Sequence, residues 1–131
     1  MSFSDYLENK LLDHLLKGTA YTAETLYVGL FTADPGDSFT EGTEVSGGSY
    51  ARVAHTAWNT AVAGSATNNG AITFTTATGT WGVITHVAIL NSLTATASTN
   101  ILAAGALDTS KTVLNQDTVS FANTALKITL D

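Results

Sequence analysis

The sequence predicts a mainly β protein: a single β-sandwich, jelly-roll-like or small barrel domain, opened by one short N-terminal amphipathic helix. Three observations carry that expectation. Leucines recur at helical spacing only near the start of the chain, and beyond Gly18 the apolar residues fall into short alternating or continuous runs. Thr and Ala together fill about a third of the positions, and Thr suits the wet face of a strand because its branched Cβ fits the pleat while its hydroxyl stays solvated. Turn-forming clusters of Gly, Pro, Asn, Asp and Ser return about every ten residues, the rhythm of a sandwich or small barrel.

The helix is expected over about residues 4–17. Ser4 is a good N-cap, Asp5 and Glu8 complement the dipole in the first turns, and Gly18 supplies the stop. Leu7, Leu11, Leu12, Leu15 and Leu16 form a broad apolar face, with Lys10, Asp13, His14 and Lys17 away from its centre and Glu8 interrupting it. A helix of this length is marginal alone, so it must dock on a sheet or another subunit.

The β domain is expected over about residues 24–131. Residues 26–32 read as a strand covered on both faces and central in its sheet, followed by a turn at 33–37 and a polar loop to Gly48. Residues 50–56 resume as a strand with Trp58 anchoring its end, and 63–70 read as a turn or loop. Ile72 and Phe74 then share one face of a short strand. Residues 81–90 form the second strong strand, with Trp81, Val83, Val87 and Ile89 on one face and Ile84, His86, Ala88 and Leu90 on the other. After a loop at 91–100 come a strand at 101–107, a hairpin of 112–114 with 118–121, and a last strand carrying Leu126, Ile128 and Leu130. With no repeat and no linker, residues 1–131 are one domain, a length that supports one core.

Composition excludes several classes of function. Charged residues make up 12% of the chain, about half the usual share. The net charge of −6, with only five Lys and Arg, leaves no basic stripe for direct contact with nucleic acid. The absence of cysteine removes disulfides, thiolate nucleophiles and Cys-type zinc sites. No run approaches the ~20 apolar residues of a membrane span, and residues 1–5 lack the basic start of a secretory signal. The protein is therefore expected to remain in the cytosol unless it leaves as part of a larger object.

Nor does the sequence assemble an active site. His14, His55 and His86 sit in different elements with no metal-ligand spacing; His86 reads as a hydrogen-bonded core or interface residue and His14 as a solvated helix flank. Asp34, Asp37, Glu41 and Glu44 offer oxygen ligands of the type calcium accepts, but not at the spacing of the twelve-residue calcium loop, so a solvated acidic loop is expected. Gly47 to Ala51 falls one residue short of a nucleophile elbow and leads into a strand, where that motif needs a helix. Neither a phosphate loop nor a dinucleotide fingerprint is present. No enzymatic activity, cofactor or metal is expected.

The stretches MSFSDYLENKLLDHLL (1–16), LYVGLFT (26–32), EVSGGSYAR (44–52), ATGTWG (77–82), LAAGAL (102–107) and LKITLD (126–131) span nearly the whole chain. Through them the protein resembles a family of small bacteriophage virion proteins commonly labelled tail fiber protein. In size, acidity and β character it is also similar to the trimeric cement or decoration proteins of phage capsids. These resemblances imply a structural protein of the virion, assembled in the host cytoplasm. Its expected partners are copies of itself, as a homo-oligomer and specifically a trimer, and either the major capsid protein or tail proteins. Capsid cementing is the first expectation, a tail fiber or tail-associated role the second, and a host-receptor or glycan-binding module with Trp58 or Trp81 as stacking platform the third.

The interface candidates follow. Leu7, Leu11, Leu15, Leu26, Tyr27 and Phe31 are assigned to docking, and Tyr50, Arg52 and Trp58 to anchoring, since aromatic residues and Arg dominate protein contacts. The competing reading is that all nine fill the subunit's own core.

Overall fold

The computed structural model describes residues 1–40 and 42–130. In chain order the elements are β1 (Ser2–Phe3), α1 (Asp5–Lys17), β2 (Tyr27–Phe31), β3 (Val53–Ala54), β4 (Ser65–Thr67) and β5 (Ile72–Thr73), then β6 (Gly82–Leu90), a 3-10 turn at Ser98–Asn100, β7 (Ile101–Val113), β8 (Ser120–Phe121) and β9 (Lys127–Thr129). A five-stranded antiparallel sheet runs in the order β1-β7-β6-β2-β3, and two ribbons pair β4 with β9 and β5 with β8.

The chain is thus mainly β with one N-terminal helix. It is built from one five-stranded antiparallel sheet and two two-stranded ribbons. Both outer strands, β1 and β3, are two residues long, so little ladder is left exposed at the ends of the strand order. The central strand is β6; β2 lies one place further out, between β6 and β3.

The sheet is covered on both faces. Val28, Leu30, Val87, Ile89 and Ala103 belong to one buried cluster with Ile72, Phe74, Trp81 and Leu126, which brings the segments of both ribbons onto that face. Phe31, Ala88, Leu90 and Ile101 form a smaller cluster with Phe39 on the other. That explains why β2 and the second half of β6 read as continuous apolar runs.

The first half of β6 departs from simple alternation. Ile84 pairs with Lys111 but His86 pairs with Ala106, so residues 107–110 bulge opposite Thr85 and the facing of side chains changes across that point. Ile84 is therefore buried beside Val87 and Ile89, while Val83, expected on that face, is 47% exposed.

Three other expectations are corrected. Residues 50–56 yield only the two-residue β3. Within 63–70 lies β4, entered by a tight hairpin in which Val62 and Ser65 exchange backbone hydrogen bonds and Ala63 and Gly64 both have positive φ, a geometry Gly adopts freely. Finally, 118–121 does not fold back on 112–114. The turn after Leu114 forms, yet Phe74 N–H donates to Val119 O and β8 pairs with β5, because this places Phe121 against Phe74, centroids 6.4 Å apart.

Helix α1 is held chiefly by its start. Ser4 is 2% exposed; its backbone N–H donates to Leu102 O and its Oγ to Ile101 O at 2.6 Å, while the same Oγ accepts from Leu7 N–H at 3.3 Å. Gly18 closes the helix at φ 69. Replacing Ser4 with Ala removes the cap and orphans a buried carbonyl, so denaturant titration should show a loss of about 1–2 kcal/mol.

Candidate functional site

The structure separates the nine interface candidates into distinct environments. Phe31 is wholly buried and Arg52 is 5% exposed; both are interior side chains with almost no surface left for a partner. Leu7, Leu26, Tyr50 and Trp58 pack against the larger core cluster, and Leu11 and Tyr27 are half-buried. Leu15 alone stands open, at 78% exposure, joined by Leu12 at 53% and Leu16 at 75%. Because Tyr6 and Leu7 occupy the side of α1 that meets the body, these three leucines crown its outward side. Spacing showed that the helix carries too many leucines for one narrow stripe; which of them would be covered depended on where the sheet lies.

Beneath the surface, Arg52 organises a polar network. Its Nε and Nη2 donate to Glu44 Oε1 and Oε2 at 2.8 and 2.7 Å, a bidentate pair whose side chains are 2% and 15% exposed. Nη1 donates to Ser92 O at 2.6 Å and Ala95 O at 2.9 Å. The guanidinium also lies over the Phe39 ring, 5.7 Å from its centroid.

Tyr50 completes the network, donating its hydroxyl proton to Glu44 Oε1 at 2.8 Å and accepting from Leu30 N–H at 2.9 Å. Burial first, and the neighbouring Glu44 charge second, push its hydroxyl far above the ordinary tyrosine range, so it stays protonated. Gly29 permits this approach: a Cβ there would meet Leu90 Cδ1 at 2.8 Å and Glu44 Oε1 at 3.1 Å.

The acidic loop therefore does not behave as a solvated unit. Glu44 turns inward to Arg52, whereas Asp34 is exposed, accepts from Gly36 N–H at 3.0 Å and lies 3.8 Å from His86 Nε2. Asp37 is exposed, and Glu41 falls outside the described residues. Among the described residues no three metal-ligating side chains converge. His86 Nδ1 lies 2.8 Å from Thr85 Oγ1, as suits a hydrogen-bonded strand histidine.

Of the two tryptophans proposed as stacking platforms, Trp81 is 5% exposed and donates Nε1–H to Gly48 O. Trp58 is half-buried, edge-on to His55 at 5.4 Å, and donates to His55 O. One structural residue escaped the sequence reading altogether. Asn68, fully buried, donates to Gly70 O and Ala122 O and accepts from Leu126 N–H, fastening the two ribbon regions together. Its only signal was an Asn in a run of turn-forming residues, which many solvated loops share.

Two concavities open to solvent. One, about 680 Å³, is lined by Asp34, Asp37, His86 and the 104–106 segment; the other, about 1100 Å³, lies between residues 105–113 of β7 and residues 117–127. Among the described residues, no helix is long and apolar enough to cross a membrane.

Comparison with known proteins adds the family. No curated protein matches the chain. A family model, that of the podophage GP4 fiber I protein gp80, matches residues 2–129. A match of that extent takes in every element from β1 to β9, and the chain belongs to this family of phage fiber-type structural proteins.

Proposed function

We propose that the protein is a non-enzymatic subunit of the phage tail fiber apparatus, present in several copies and docked on a neighbouring virion protein through the outer side of α1. The family match carries the fiber assignment. The docking face rests on three leucines that the chain's own body leaves open. Exposed apolar clusters of this kind mark contact surfaces, since leaving them wet forgoes ~25 cal/mol for every Å² of apolar area. The family name moves weight from capsid cementing to the fiber, and cementing becomes the alternative outcome of the same experiment.

Quantifying the protein in purified particles, with immunogold labelling, tests the location. Some tens of copies or fewer, clustered at the tail, are expected; hundreds spread over the head would replace the fiber reading with the cement one. Docking is tested by changing Leu12, Leu15 and Leu16 together to Gln. Since all three are exposed, folding stability should move by no more than about 0.5 kcal/mol, while incorporation into particles falls at least about tenfold. Normal incorporation of a folded triple variant would discard the helix as the docking element.

A further inference from the structure

Of the eight asparagines in the chain, Asn69 alone precedes a glycine. Both residues of that pair are exposed, and Gly70 has φ 91 with open space where a Cβ would stand. With no side chain on the following residue, little shields the Asn69 amide from attack by the backbone. The Gly70 nitrogen, on giving up its proton, can bond to Asn69 Cγ. The Cγ–Nδ2 bond then breaks, the departing nitrogen takes up that proton, and ammonia leaves behind a cyclic imide. Water opens the imide at either carbonyl, giving an aspartate at position 69 or its isomer isoaspartate, in which the main chain passes through the side-chain carbon.

The fold holds this dipeptide at three points. Asn69 N–H donates to Ala57 O at 2.8 Å, Gly70 O accepts from Asn68 Nδ2 at 2.7 Å, and Gly70 N–H donates to Asn123 Oδ1 at 2.9 Å. The third bond bears on the chemistry directly, because it keeps on the nitrogen the proton that must leave before attack. The other two restrain the backbone rotation that would carry the nitrogen over Cγ. We propose that Asn69 is a site of spontaneous conversion of amide to acid, that Asn123 sets its rate in the folded chain, and that the isoaspartate product loosens the junction between the ribbons.

The two products differ in what they disturb. Residues 53–107 contain no Asp, Glu, Lys or Arg, so the aspartate form puts a carboxylate into a charge-free stretch while leaving the backbone unaltered. The isoaspartate form adds a carbon to the main chain beside Asn68, whose bonds to Gly70 O, Ala122 O and Leu126 N–H fasten the ribbon regions. That fastening depends on register, and an added backbone atom shifts it.

The purified full chain, held at mildly alkaline pH with and without unfolding urea, supplies the test. Peptides carrying positions 69 and 91 are followed by mass spectrometry, and isoaspartate is counted with an isoaspartate-specific methyltransferase. Position 69 should convert first in urea and at least about tenfold more slowly in the folded chain. Asn123→Ala should speed the folded chain's conversion at least about threefold, whereas Asn123→Asp, whose carboxylate accepts the same bond, should match the parent. Asn91, which precedes Ser92, reports any general loosening and should keep its rate in both variants. Chains enriched in isoaspartate should unfold at lower urea than Asn69→Asp. The proposal is overturned by no conversion at position 69 in urea, by equal rates folded and unfolded, or by an unchanged rate in Asn123→Ala. It is equally overturned by acceleration of positions 69 and 91 together, by fast conversion in Asn123→Asp, or by equal urea midpoints of the isoaspartate chain and Asn69→Asp.

Discussion

Replacing Phe31 with Ala will cost about 3–5 kcal/mol of folding stability, the range for removing a large buried ring. Its side chain has no exposed surface; it meets Phe39 edge-on at 5.5 Å and shares a cluster with Ala88, Leu90 and Ile101. The cavity would open between β2, β6 and the start of β7, which pack too tightly to close over it. Urea titration followed by the fluorescence of Trp58 and Trp81 gives the measurement. The contrast with the sequence-based expectation is direct. An interface residue would leave the isolated chain's stability nearly unchanged and abolish contact with its partner. A loss below about 1 kcal/mol would return Phe31 to the surface.

Arg52→Met should be comparably damaging, by a different route. The substitution leaves the Glu44 carboxylate largely buried without its partner and removes the donor serving Ser92 O and Ala95 O. Breaking a buried pair from one side costs about 3–5 kcal/mol, because an uncompensated charge remains in a medium that solvates it poorly. The double variant Arg52→Met with Glu44→Leu should be more stable than the single one, since the stranded charge has gone. Its recovery will be partial, because the buried Tyr50 hydroxyl then lacks an acceptor.

Two signatures separate this network from a surface ion pair. Raising the salt concentration should not weaken the wild-type contribution, because the pair lies beneath the reach of mobile ions. Hydrogen exchange at Ala95 should accelerate in Arg52→Met, as the loop loses its anchor from below. Unchanged exchange there would separate the loop's order from the buried arginine.

The outcome at individual residues shows how far sequence reaches. Ser4 and Gly18 bound the helix at the positions their chemistry dictates, since a hydroxyl that accepts an orphan N–H and a glycine that tolerates positive φ act over a few residues. The apolar runs at 27–31 and 87–90 became strand segments buried on both faces for an equally local reason: continuous rather than alternating apolarity leaves no side to give to water. Turn chemistry located the break after Leu114 as well.

Pairing was not legible in the same way. That β8 lies beside β5 rather than β7, and that Ser65–Thr67 finds a partner in Lys127–Thr129, depends on contacts some fifty to sixty positions apart along the chain. No window of neighbouring residues encodes such a choice. The bulge at 107–110, which buries Ile84 and exposes Val83, is likewise a property of two strands together.

The candidate surfaces divide along the same line. Amino-acid types alone set the low charge, the absence of thiols and basic stripes, the β character, and a helix rich in leucine on more than one side. Only the folded arrangement decided that Arg52 and Phe31 face inward, that Glu44 leaves the acidic loop to join Arg52, and that Leu12, Leu15 and Leu16 stay in water. The physical reason is that burial is a relation between segments. Periodicity tells which side chains share a face, and the packing of distant strands against that face determines whether it becomes core or contact surface.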